Sequence, residues 1–433
     1  MPRVLLLATT TGYQTRAFGD AAERLGVDLV FATDRCHVLD DPWRDAAIPI
    51  RFFDETGSVA AIVAASATRA IDGVLVVGDR PTVIGAKVLE ALGLPGHPPT
   101  AAETASNKEL TRGRMRHAGL PVPWFMSVPI AADAAEIAAK ISYPCVVKPL
   151  ALSGSRGVMR ADDPAGFSAA FWRLRALLRS PEVRAERNEA HEWAMIEGFI
   201  PGHEYALEGV MHHGELHTLA IFDKPDPLEG PFFEETIYVT PSSALDVEQM
   251  AIREAVAAAA DAIGLRHGPV HAECRMSGGG VVVLEVAARP IGGLCARALS
   301  FTTLAVQPEA FCPPAAARIS LEELLLRHAL GESPAGWHRT LEASGVMMIP
   351  IPQRGIFRRA DGFDEARAVP CITGIRITAK ADQLLVPLPE GASYLGFIFA
   401  RGTTPGEVVR ALRAAHARLR FQVDVDLPVV DTV

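Results

Sequence analysis

Short apolar runs alternate with helical stretches through the first hundred residues of the chain. The runs are VLLLA at 4–8, VDLVFA at 27–32 and GVLVV at 73–77. Strands that alternate with helices predict a parallel sheet covered by helices, so we expect an α/β layer here. The turn after the first run, at 9–12, lacks the G-x-G-x-x-G pattern, which argues against a dinucleotide site in this layer.

The rest of the chain has a mixed order of elements. Six strands and two amphipathic helices are predicted between 144 and 287, an order typical of α+β domains. One helix is predicted over 104–120, and the glycine-rich run 276–281 predicts a hairpin turn. A last group of strands ends in a helix predicted at 405–418. The predicted fold class is therefore α/β and α+β, with domains at 1–100, 101–335 and 336–433.

The charge balance and the cysteines exclude several classes of protein. With 42 basic and 51 acidic residues the net charge is −9, whereas a general nucleic-acid binder shows a basic patch or stripe. No apolar stretch reaches the about 18 residues that a membrane span needs. The six cysteines include no Cys-x-x-Cys pair, so neither a disulfide framework nor a zinc site is indicated. We expect a cytoplasmic protein without nucleic-acid or membrane partners.

A lysine lies near the end of the apolar strand predicted at 144–149, and a loop of small residues follows it. Lys148 precedes the sequence SGSRG at 153–157, in which Gly154 and Gly157 let the backbone approach a ligand closely. One ammonium and several backbone N–H groups can together bind a polyphosphate. An ordinary Gly/Ser hairpin with a solvated lysine is the alternative, and this segment alone does not separate the two. A Walker-type phosphate loop is excluded, because no lysine follows a glycine anywhere in the chain.

Two glutamates lie on the paired strands of the predicted hairpin. Glu273 belongs to the first strand, and Glu285 ends the hydrophobic second strand shortly before Arg289. A charged group that closes a buried strand needs a partner, and Mg²⁺ takes carboxylate oxygens together with substrate phosphates. We favour a magnesium site at this pair, with Arg289 placed to hold an anion, over two rim glutamates paired with arginines.

Two other segments give weaker signals. The sequence IEGFIPGHE carries Glu197 and Glu204 around a turn. Its exposed backbone amides and two acids would suit an adenine and a ribose, although a hairpin with solvated acids is favoured from this segment alone. His212, His213 and His217 flank a Gly-Glu pair, so we expect them to decorate a hairpin turn rather than to bind zinc.

Taken together and in this order, these segments resemble the ATP-grasp superfamily. The matching pieces are NK at 107–108, the helix that ends GLPVP at 119–123, YPCVVKP, SGSRGV, IEGFIPGHE, and HAECR with VLEVAARPIGG. They span about 105–297. The segment before them resembles the Rossmann-like pre-ATP-grasp domain, and the closing region resembles the C-terminal domain of L-amino-acid ligases. That group joins amino acids into dipeptides, and carnosine synthase is related to it.

The resemblance assigns roles to the matching positions. For ATP, it implies contacts from Lys108, Lys148, Ser153, Gly154, Ser155, Gly157, Glu197, Gly198, Phe199, Ile200 and Glu204. For the substrates, it implies contacts from Glu235, His271, Arg289, Gly292 and Gly293, with Lys224 as a further candidate. Glu273 and Glu285 would hold Mg²⁺, for which Mn²⁺ is the second candidate. The implied catalytic residues are Arg289 and Lys148, which neutralise charge, and Ser155, whose loop excludes water.

One position departs from the family pattern. An asparagine commonly stands two residues after the second metal-binding glutamate, and Ala287 occupies that position here. The second magnesium ion is therefore expected on Glu285 alone, with waters. Some dipeptide-ligase-like members share a small residue at this point, so the departure does not imply an inactive enzyme.

The resemblance implies an ATP-dependent carboxylate–amine ligase. ATP would activate a carboxylate as an acyl phosphate, an amine would capture it as an amide, and ADP and phosphate would leave. The implied partners are a small-molecule carboxylate, for which an amino acid is favoured, and a small-molecule amine; a homodimer is left open. Two alternatives stand: a ligase for a non-amino-acid carboxylate, and a catalytically silent nucleotide-binding module. A biotin-type carboxylase is disfavoured, because the chain has no Met-Lys-Met acceptor sequence.

Overall fold

The N-terminal region is the parallel α/β layer that the sequence predicts. The computed structural model describes residues 1–9, 12–34, 47–303 and 318–425; Thr10, Thr11, Cys36 and Cys312 lie outside the described residues. The elements of the layer are β1 (Arg3–Ala8), α1 (Gly12–Leu25), β2 (Asp28–Asp34), β3 (Ile48–Ile50), α2 (Glu55–Thr68), β4 (Gly73–Val77) and α3 (Thr82–Leu92). Its strands are parallel in the order β3-β2-β1-β4.

Strand β1 is apolar at successive positions because both faces of its sheet are covered. Val4 and Leu6 pack in a core that includes Phe18 of α1. Leu5 and Leu7 point to the opposite face and pack in a second core with α2 and α3. A strand buried on both faces reads as a continuous hydrophobic run rather than an alternating one.

A small antiparallel sheet follows. The elements of this region are α4 (Pro99–Ala105), α5 (Lys108–His117), β5 (Phe125–Pro129), α6 (Ala134–Ala138), β6 (Cys145–Pro149), β7 (Met159–Ala161), α7 (Pro164–Leu178), α8 (Pro181–Arg184) and β8 (Trp193–Gly198). Its strand order is β5-β8-β6-β7. Helix α7 covers one face and buries Phe167, Phe171 and Leu174 against the sheet.

The remaining elements build a large sheet, a three-stranded sheet and a two-stranded sheet. In chain order they are β9 (His203–His212), β10 (Glu215–Asp223), β11 (Ile237–Thr240), α9 (Asp246–Ile263), β12 (Gly268–Ser277), β13 (Gly280–Ala287), β14 (Phe301–Thr303), α10 (Leu321–Ala329), β15 (Trp337–Arg339), β16 (Ala343–Ile349), β17 (Gly355–Asp361), α11 (Phe363–Arg367), β18 (Ile372–Ile377), β19 (Leu384–Leu385), β20 (Gly396–Gly402), α12 (Pro405–His416) and β21 (Arg420–Val425). The large sheet has the order β13-β12-β9-β10-β11-β16-β20-β18, and β19-β17-β21 form a three-stranded sheet. The large sheet continues across the predicted domain boundary between residues 335 and 336. The domain boundaries themselves stay predictions.

The continuous helix predicted over 104–120 is wrong, because the chain breaks between α4 and α5. Asn107 adopts an extended backbone conformation, and its side chain accepts hydrogen bonds from the backbone N–H groups of Glu109 and Leu110. Asparagine is a preferred N-cap residue for this reason. The break places Lys108 at the first position of α5. Both predicted hairpins are confirmed: β12 and β13 pair antiparallel, and His212 pairs with Glu215 across the turn between β9 and β10.

Among the described residues, the helices are too short or too polar to cross a membrane.

Candidate active site

A cavity of about 500 Å³ lies where the three regions of the chain meet. The N-terminal layer contributes Gly78 and Asp79, and the C-terminal region contributes Tyr394 and Phe397. Between them lie most of the residues that the sequence singles out: Lys108, Lys148, Ser153, Gly154, Ser155, Glu197, Phe199, Ile200, Glu204, Glu235, His271, Glu273, Glu285, Arg289, Gly292 and Gly293. The fold therefore brings positions nearly 200 residues apart in the chain into one cavity.

Lys148 belongs to a buried group of three charges at one end of the cavity. Its Nζ atom donates to Glu197 Oε1 at 2.5 Å across the pair of strands β6 and β8. Arg112 of α5 donates from Nε to Glu197 Oε2 at 2.9 Å and from Nη1 to the Val283 carbonyl at 3.1 Å. One carboxylate thus holds two cations, so positive charge predominates at this end. The sequence analysis did not find Arg112, since nothing in its helix distinguishes it from the neighbouring arginines.

Burial and the charges of these neighbours set the ionisation of the group. Burial lowers the pKa of Lys148 to about 8; Arg112 acts in the same direction, and Glu197 opposes them. Burial acts to raise the pKa of Glu197, but Arg112 and Lys148 outweigh it and bring that pKa to about 2. Glu197 is therefore ionised at any physiological pH, and Lys148 is a cation below about pH 8.

Lys108 reaches the same end of the cavity from the start of α5. Its Nζ atom donates to the Leu152 carbonyl at 2.9 Å and lies 3.4 Å from Glu285 Oε2. The lysine therefore joins the beginning of the 153–157 loop to the end of β13. This position depends on the Asn107 cap, because the cap ends α4 and starts a new helix at Lys108.

The 153–157 loop carries several residues with left-handed backbone conformation. Gly154, Ser155 and Gly157 have φ values of 62°, 56° and 75°. Ser153, Gly154 and Ser155 line the cavity, whereas Gly157 packs below it, where a Cβ atom would lie 2.9 Å from Leu174. The Gly157 N–H donates to the Pro389 carbonyl at 2.8 Å, which ties the loop to the C-terminal region.

Arg289 is held by a carboxylate of the N-terminal layer. Its Nε and Nη2 atoms donate to the two oxygens of Asp79 at 2.8 and 3.3 Å, a bidentate pair across 210 residues of sequence. Burial acts to lower the pKa of Arg289, but Asp79 outweighs it and the pKa is raised. Asp79 was not predicted from the sequence, although it follows the buried strand β4 closely and Glu285 likewise lies near the end of β13. The same signal, a carboxylate closing an apolar strand, would have found it.

Glu273 and Glu285 are paired in register across β12 and β13, as the hairpin predicts. A lysine lies beside each carboxylate: Lys108 lies 3.4 Å from Glu285, and Lys224 lies 2.9 Å from Glu273. Carboxylates directly opposite each other on a sheet repel unless cations lie between or beside them. The pair therefore lies in the cavity wall as predicted, each member beside a cation.

Lys224 is the centre of an acidic group at the other end of the cavity. Its Nζ atom donates to Glu204 at 2.7 Å and to Glu235 at 2.5 Å, in addition to the Glu273 contact. The oxygens of the three glutamates lie within 4.8 Å of one another. Arg275 donates from Nε to Glu204 at 2.8 Å. Negative charge therefore predominates at this end, opposite in sign to the Lys148 end.

The pKa values of Glu235 and Glu273 are shifted in opposite directions. Burial, together with the neighbouring Glu273, raises the pKa of Glu235 to about 7. Burial acts to raise the pKa of Glu273 as well, but Lys224 and His271 outweigh it and hold that pKa well below the ordinary range. Two carboxylates whose environments separate their pKa values are typical of a site that needs one permanent anion and one group that exchanges a proton near neutral pH.

His271 lies directly opposite Ala287 across strands β12 and β13. The two residues are cross-strand partners, and the imidazole Nε2 lies 3.7 Å from Glu273. Its Nδ1 lies 3.0 Å from buried Glu208. Burial acts to lower the pKa of His271, but Glu208 and Glu273 outweigh it and raise the pKa to about 9. The family pattern has an asparagine amide at position 287, where this chain has alanine. The polar group beside Glu273 on this face is instead the imidazolium of His271.

The turn after β8 differs from both interpretations of this segment: Glu197 and Glu204 are buried rather than solvated, and the backbone amides of the turn are not exposed. The N–H groups of Gly198 and Phe199 donate to the carbonyls of Trp124 and Pro144 at 3.0 and 3.1 Å. Their amides are used within the fold because β8 continues its pairing through Gly198. Gly198 lies under Trp124, where a Cβ atom would be 2.7 Å from the indole nitrogen. Phe199 lines the cavity, with its ring stacked against Phe233 at 6.4 Å.

The donor set suits a hard divalent cation beside phosphates. Glu273 and Glu285 offer carboxylate oxygens on adjacent strands. Lys108 lies 3.4 Å from Glu285, and the Glu285 carboxylate is close enough to Arg289 to act on its pKa. Mg²⁺ is commonly held by one or two carboxylates together with substrate phosphates. The residues present therefore fit Mg²⁺ and a polyphosphate beside the Glu273–Glu285 pair.

Three families of known sequences match successive parts of the chain. Residues 19–96 match an ATP-grasp N-terminal domain, residues 141–298 an ATP-grasp domain, and residues 347–424 the L-amino acid ligase C-terminal domain 2. The fold class and the resemblance to the ATP-grasp superfamily are confirmed.

Individual relatives agree with these matches. The crystal structure of an L-amino acid ligase from Bacillus licheniformis has a TM-score of 0.80 at 27% identity and covers 98% of this chain and 99% of that one. Alanine–anticapsin ligase of Bacillus subtilis is 30% identical over 205 residues, which are 44% of this chain and 42% of the relative. An uncharacterized protein of Sinorhizobium fredii is 25% identical over 334 residues, 72% of this chain and 60% of that protein. The chain thus spans less than two thirds of the length of these two curated relatives.

Proposed function

We propose that this chain, which belongs to the ATP-grasp superfamily, is an ATP-dependent carboxylate–amine ligase. The proposed reaction joins an amino acid to an amine, in its simplest form a second amino acid, and releases ADP and phosphate. The observation that carries the proposal is the polarity of the cavity: cations predominate around Lys148, and carboxylates predominate around Lys224. An anionic nucleotide and a cationic amine would therefore be attracted to different parts of one site.

The first step would form an acyl phosphate. A carboxylate oxygen attacks the γ-phosphorus, the bond from that phosphorus to the bridging oxygen breaks, and ADP leaves. Lys108 and Lys148 would neutralise the phosphates, and Arg289, held by Asp79, would fix the carboxylate. Such positioning and charge neutralisation account for most of the catalysis in phosphoryl transfer. Mg²⁺, held by Glu273 and Glu285, would supply further neutralisation of the phosphate charge.

The second step would form the amide. The amine nitrogen attacks the acyl carbon, the carbon–oxygen bond to phosphate breaks, and inorganic phosphate leaves. Before attack the substrate ammonium must lose a proton, and Glu235, with a pKa of about 7, is suited to accept it. His271 would remain an imidazolium and steady the developing negative charge. The 153–157 loop, with Ser155 at its centre, would exclude water from the acyl phosphate.

The nucleotide products and the substrates test the proposal together. The enzyme is incubated with Mg²⁺, labelled ATP and pairs of amino acids, and the nucleotides are resolved; hydroxylamine replaces the amine in a parallel series. We expect ADP and phosphate that depend on a carboxylate, and a hydroxamate with hydroxylamine. The Lys148→Met variant should lose turnover, whereas Lys140→Met, at an exposed position, should retain it.

Each alternative has its own outcome in this assay. AMP with pyrophosphate would overturn the acyl-phosphate route. Turnover with organic acids that lack an amino group, but not with amino acids, would identify a ligase for another carboxylate. Nucleotide binding without turnover under any substrate pair would identify a silent nucleotide-binding module.

A further inference from the structure

Three histidines from distant parts of the chain meet outside the active-site cavity. His212 ends β9, His267 directly precedes β12, and His328 lies in α10. Their ligand nitrogens all lie within 4.8 Å of one another. The sequence analysis considered only the local group at the β9–β10 turn and expected no metal there. It could not find this cluster, because two of its three members come from other segments.

The spacing of the imidazole nitrogens fits a tetrahedral metal ion. Nδ1 of His212 lies 3.3 Å from Nε2 of His328. A tetrahedral zinc ion with Zn–N bonds of about 2.0–2.1 Å places its ligand nitrogens about 3.3–3.4 Å apart. One edge of the ligand tetrahedron is thus already formed. The His267 ring stacks on His328 at a centroid distance of 4.2 Å and lies 5.3 Å from the His212 ring, and its ligand nitrogen lies within 4.8 Å of both others.

His267 has a buried ring nitrogen that packing alone does not explain. The residue is 8% exposed, and within the described part of the chain its Nδ1 atom has no hydrogen-bond partner. Such an unpaired buried group costs about 1–3 kcal/mol. Nearby His97 shows the structural alternative: the Arg266 N–H donates to its Nδ1 at 3.1 Å, and its Nε2 lies 3.2 Å from the Pro269 carbonyl. Both ring nitrogens of His97 thus have partners, whereas Nδ1 of His267 has none.

The electrostatic surroundings leave these rings neutral and able to coordinate. Burial and the neighbouring imidazoles lower the pKa of His267 to about 4 and that of His328 to about 3. The guanidinium of Arg266, the adjacent residue, is paired with Asp261 at 2.8 Å. A cavity of about 40 Å³ is lined by both His267 and His328. His212 does not line this cavity, and because about 10–15 Å³ of such volume holds one water, a water has room beside the other two rings.

We propose that His212, His267 and His328 bind one zinc-class divalent transition-metal ion, with water as the fourth ligand. Three neutral imidazoles are a donor set for Zn²⁺, not for Mg²⁺, which prefers oxygen. The ion would join the end of β9 and the start of β12 to α10, and α10 packs against α1 and β4 of the N-terminal layer. Its role is a structural cross-link between that layer and the strand that carries His271 and Glu273. The inference does not depend on the proposed ligase activity.

Metal binding by the full, tag-free chain tests the proposal. The protein is stripped with a chelator, returned to a buffer with excess Mg²⁺ to occupy the carboxylate site, and titrated with Co²⁺ and Zn²⁺. We expect one equivalent of Co²⁺ with the intense visible absorption of tetrahedral coordination, its displacement by Zn²⁺ with a Kd below about 1 µM, and a rise in melting temperature. His267→Gln and His328→Gln should each weaken binding more than about 100-fold, because even residues that only support a ligand contribute 10- to 100-fold.

The control variant is His117→Gln, which removes an exposed histidine of α5 and should keep the full equivalent. Circular dichroism of the metal-free variants identifies any loss of fold. Absence of the tetrahedral cobalt spectrum in wild-type protein would overturn the proposal regardless of how the variants fold. Undiminished binding in both folded cluster variants would also overturn it.

Discussion

Replacement of Glu197 by glutamine tests how the cationic end of the cavity is held together. Glu197 is 3% exposed and accepts hydrogen bonds from Lys148 at 2.5 Å and from Arg112 at 2.9 Å. Glutamine has the same size but no charge, so both buried cations lose their common counter-ion. Breaking a buried ion pair by removing one partner costs about 3–5 kcal/mol. We expect Glu197→Gln to reduce the free energy of unfolding by that amount.

The same substitution should change the pH dependence of nucleotide binding. The Glu197 carboxylate acts to raise the pKa of Lys148, against burial, which lowers it to about 8. Without the carboxylate the pKa falls further, so a smaller fraction of the amine is protonated at pH 7.5. Nucleotide affinity of the variant should therefore be weak at pH 7.5 and should recover as the pH is lowered to 6. Wild-type affinity should change little over this range, because Lys148 is already mostly protonated.

Urea unfolding followed by tryptophan fluorescence measures the first effect, and titration with a fluorescent ATP analogue and Mg²⁺ at the two pH values measures the second. Glu182→Gln is the matched control, because the Glu182 carboxylate is exposed and pairs with Arg156 at the surface; its loss should cost at most about 1 kcal/mol. Adding Lys148→Met to Glu197→Gln should recover part of the stability, since one uncompensated charge is removed. A Glu197→Gln protein as stable as the control variant, with pH-independent affinity, would refute the reasoning.

Three other predictions follow from the same contacts. In wild-type protein, nucleotide affinity should fall as the pH rises through about 8, because the cationic form of Lys148 is lost there. The Lys148→Arg variant should bind nucleotide equally at pH 7 and 9. A matching fall in that variant would assign the titration to another group. Asp79→Asn should lower kcat about 10- to 100-fold through misplacement of Arg289 while the nucleotide Kd stays unchanged, so an unchanged kcat would count against this positioning role. Nucleotide with Mg²⁺ should slow tryptic cutting after Arg156, since phosphate contacts order the 153–157 loop; equal cutting rates with and without nucleotide would contradict the role of the loop as a lid.

Local sequence signals predicted the parts of the site that lie close together in the chain. Glu273 and Glu285 could be placed side by side because one hairpin joins them and its glycine turn fixes the register. Lys148 could be placed near a strand end because the apolar run and the loop of small residues that follows it are neighbours in the sequence. The helix break at Asn107 was missed, because the residues on both sides are good helix formers and only the cap separates α4 from α5.

Contacts between distant segments could not be predicted from one sequence. The pair of Arg289 with Asp79 joins the large sheet to the N-terminal layer, and the choice of Asp79 depends on how those two bodies pack. The same holds for Lys224, whose three glutamates come from β9, β12 and the segment before β11. The family resemblance made Lys224 a candidate without identifying its partners.

The cations that would meet the nucleotide have a common arrangement, and this arrangement explains how the site can be both stable and reactive. Lys108, Lys148 and Arg289 each contact a carboxylate, respectively Glu285, Glu197 and Asp79. Without such partners, several cations in one cavity would repel one another. With them, the side chains are fixed before substrate arrives, so little reorganisation remains for the moment of reaction. The partners differ in one respect: Glu197 is deeply buried with two cations, whereas Glu285 and Asp79 are partly exposed at the cavity wall. Loss of Glu197 should therefore lower stability most, and loss of Asp79 should act mainly on turnover. The Glu197→Gln and Asp79→Asn variants measure this contrast.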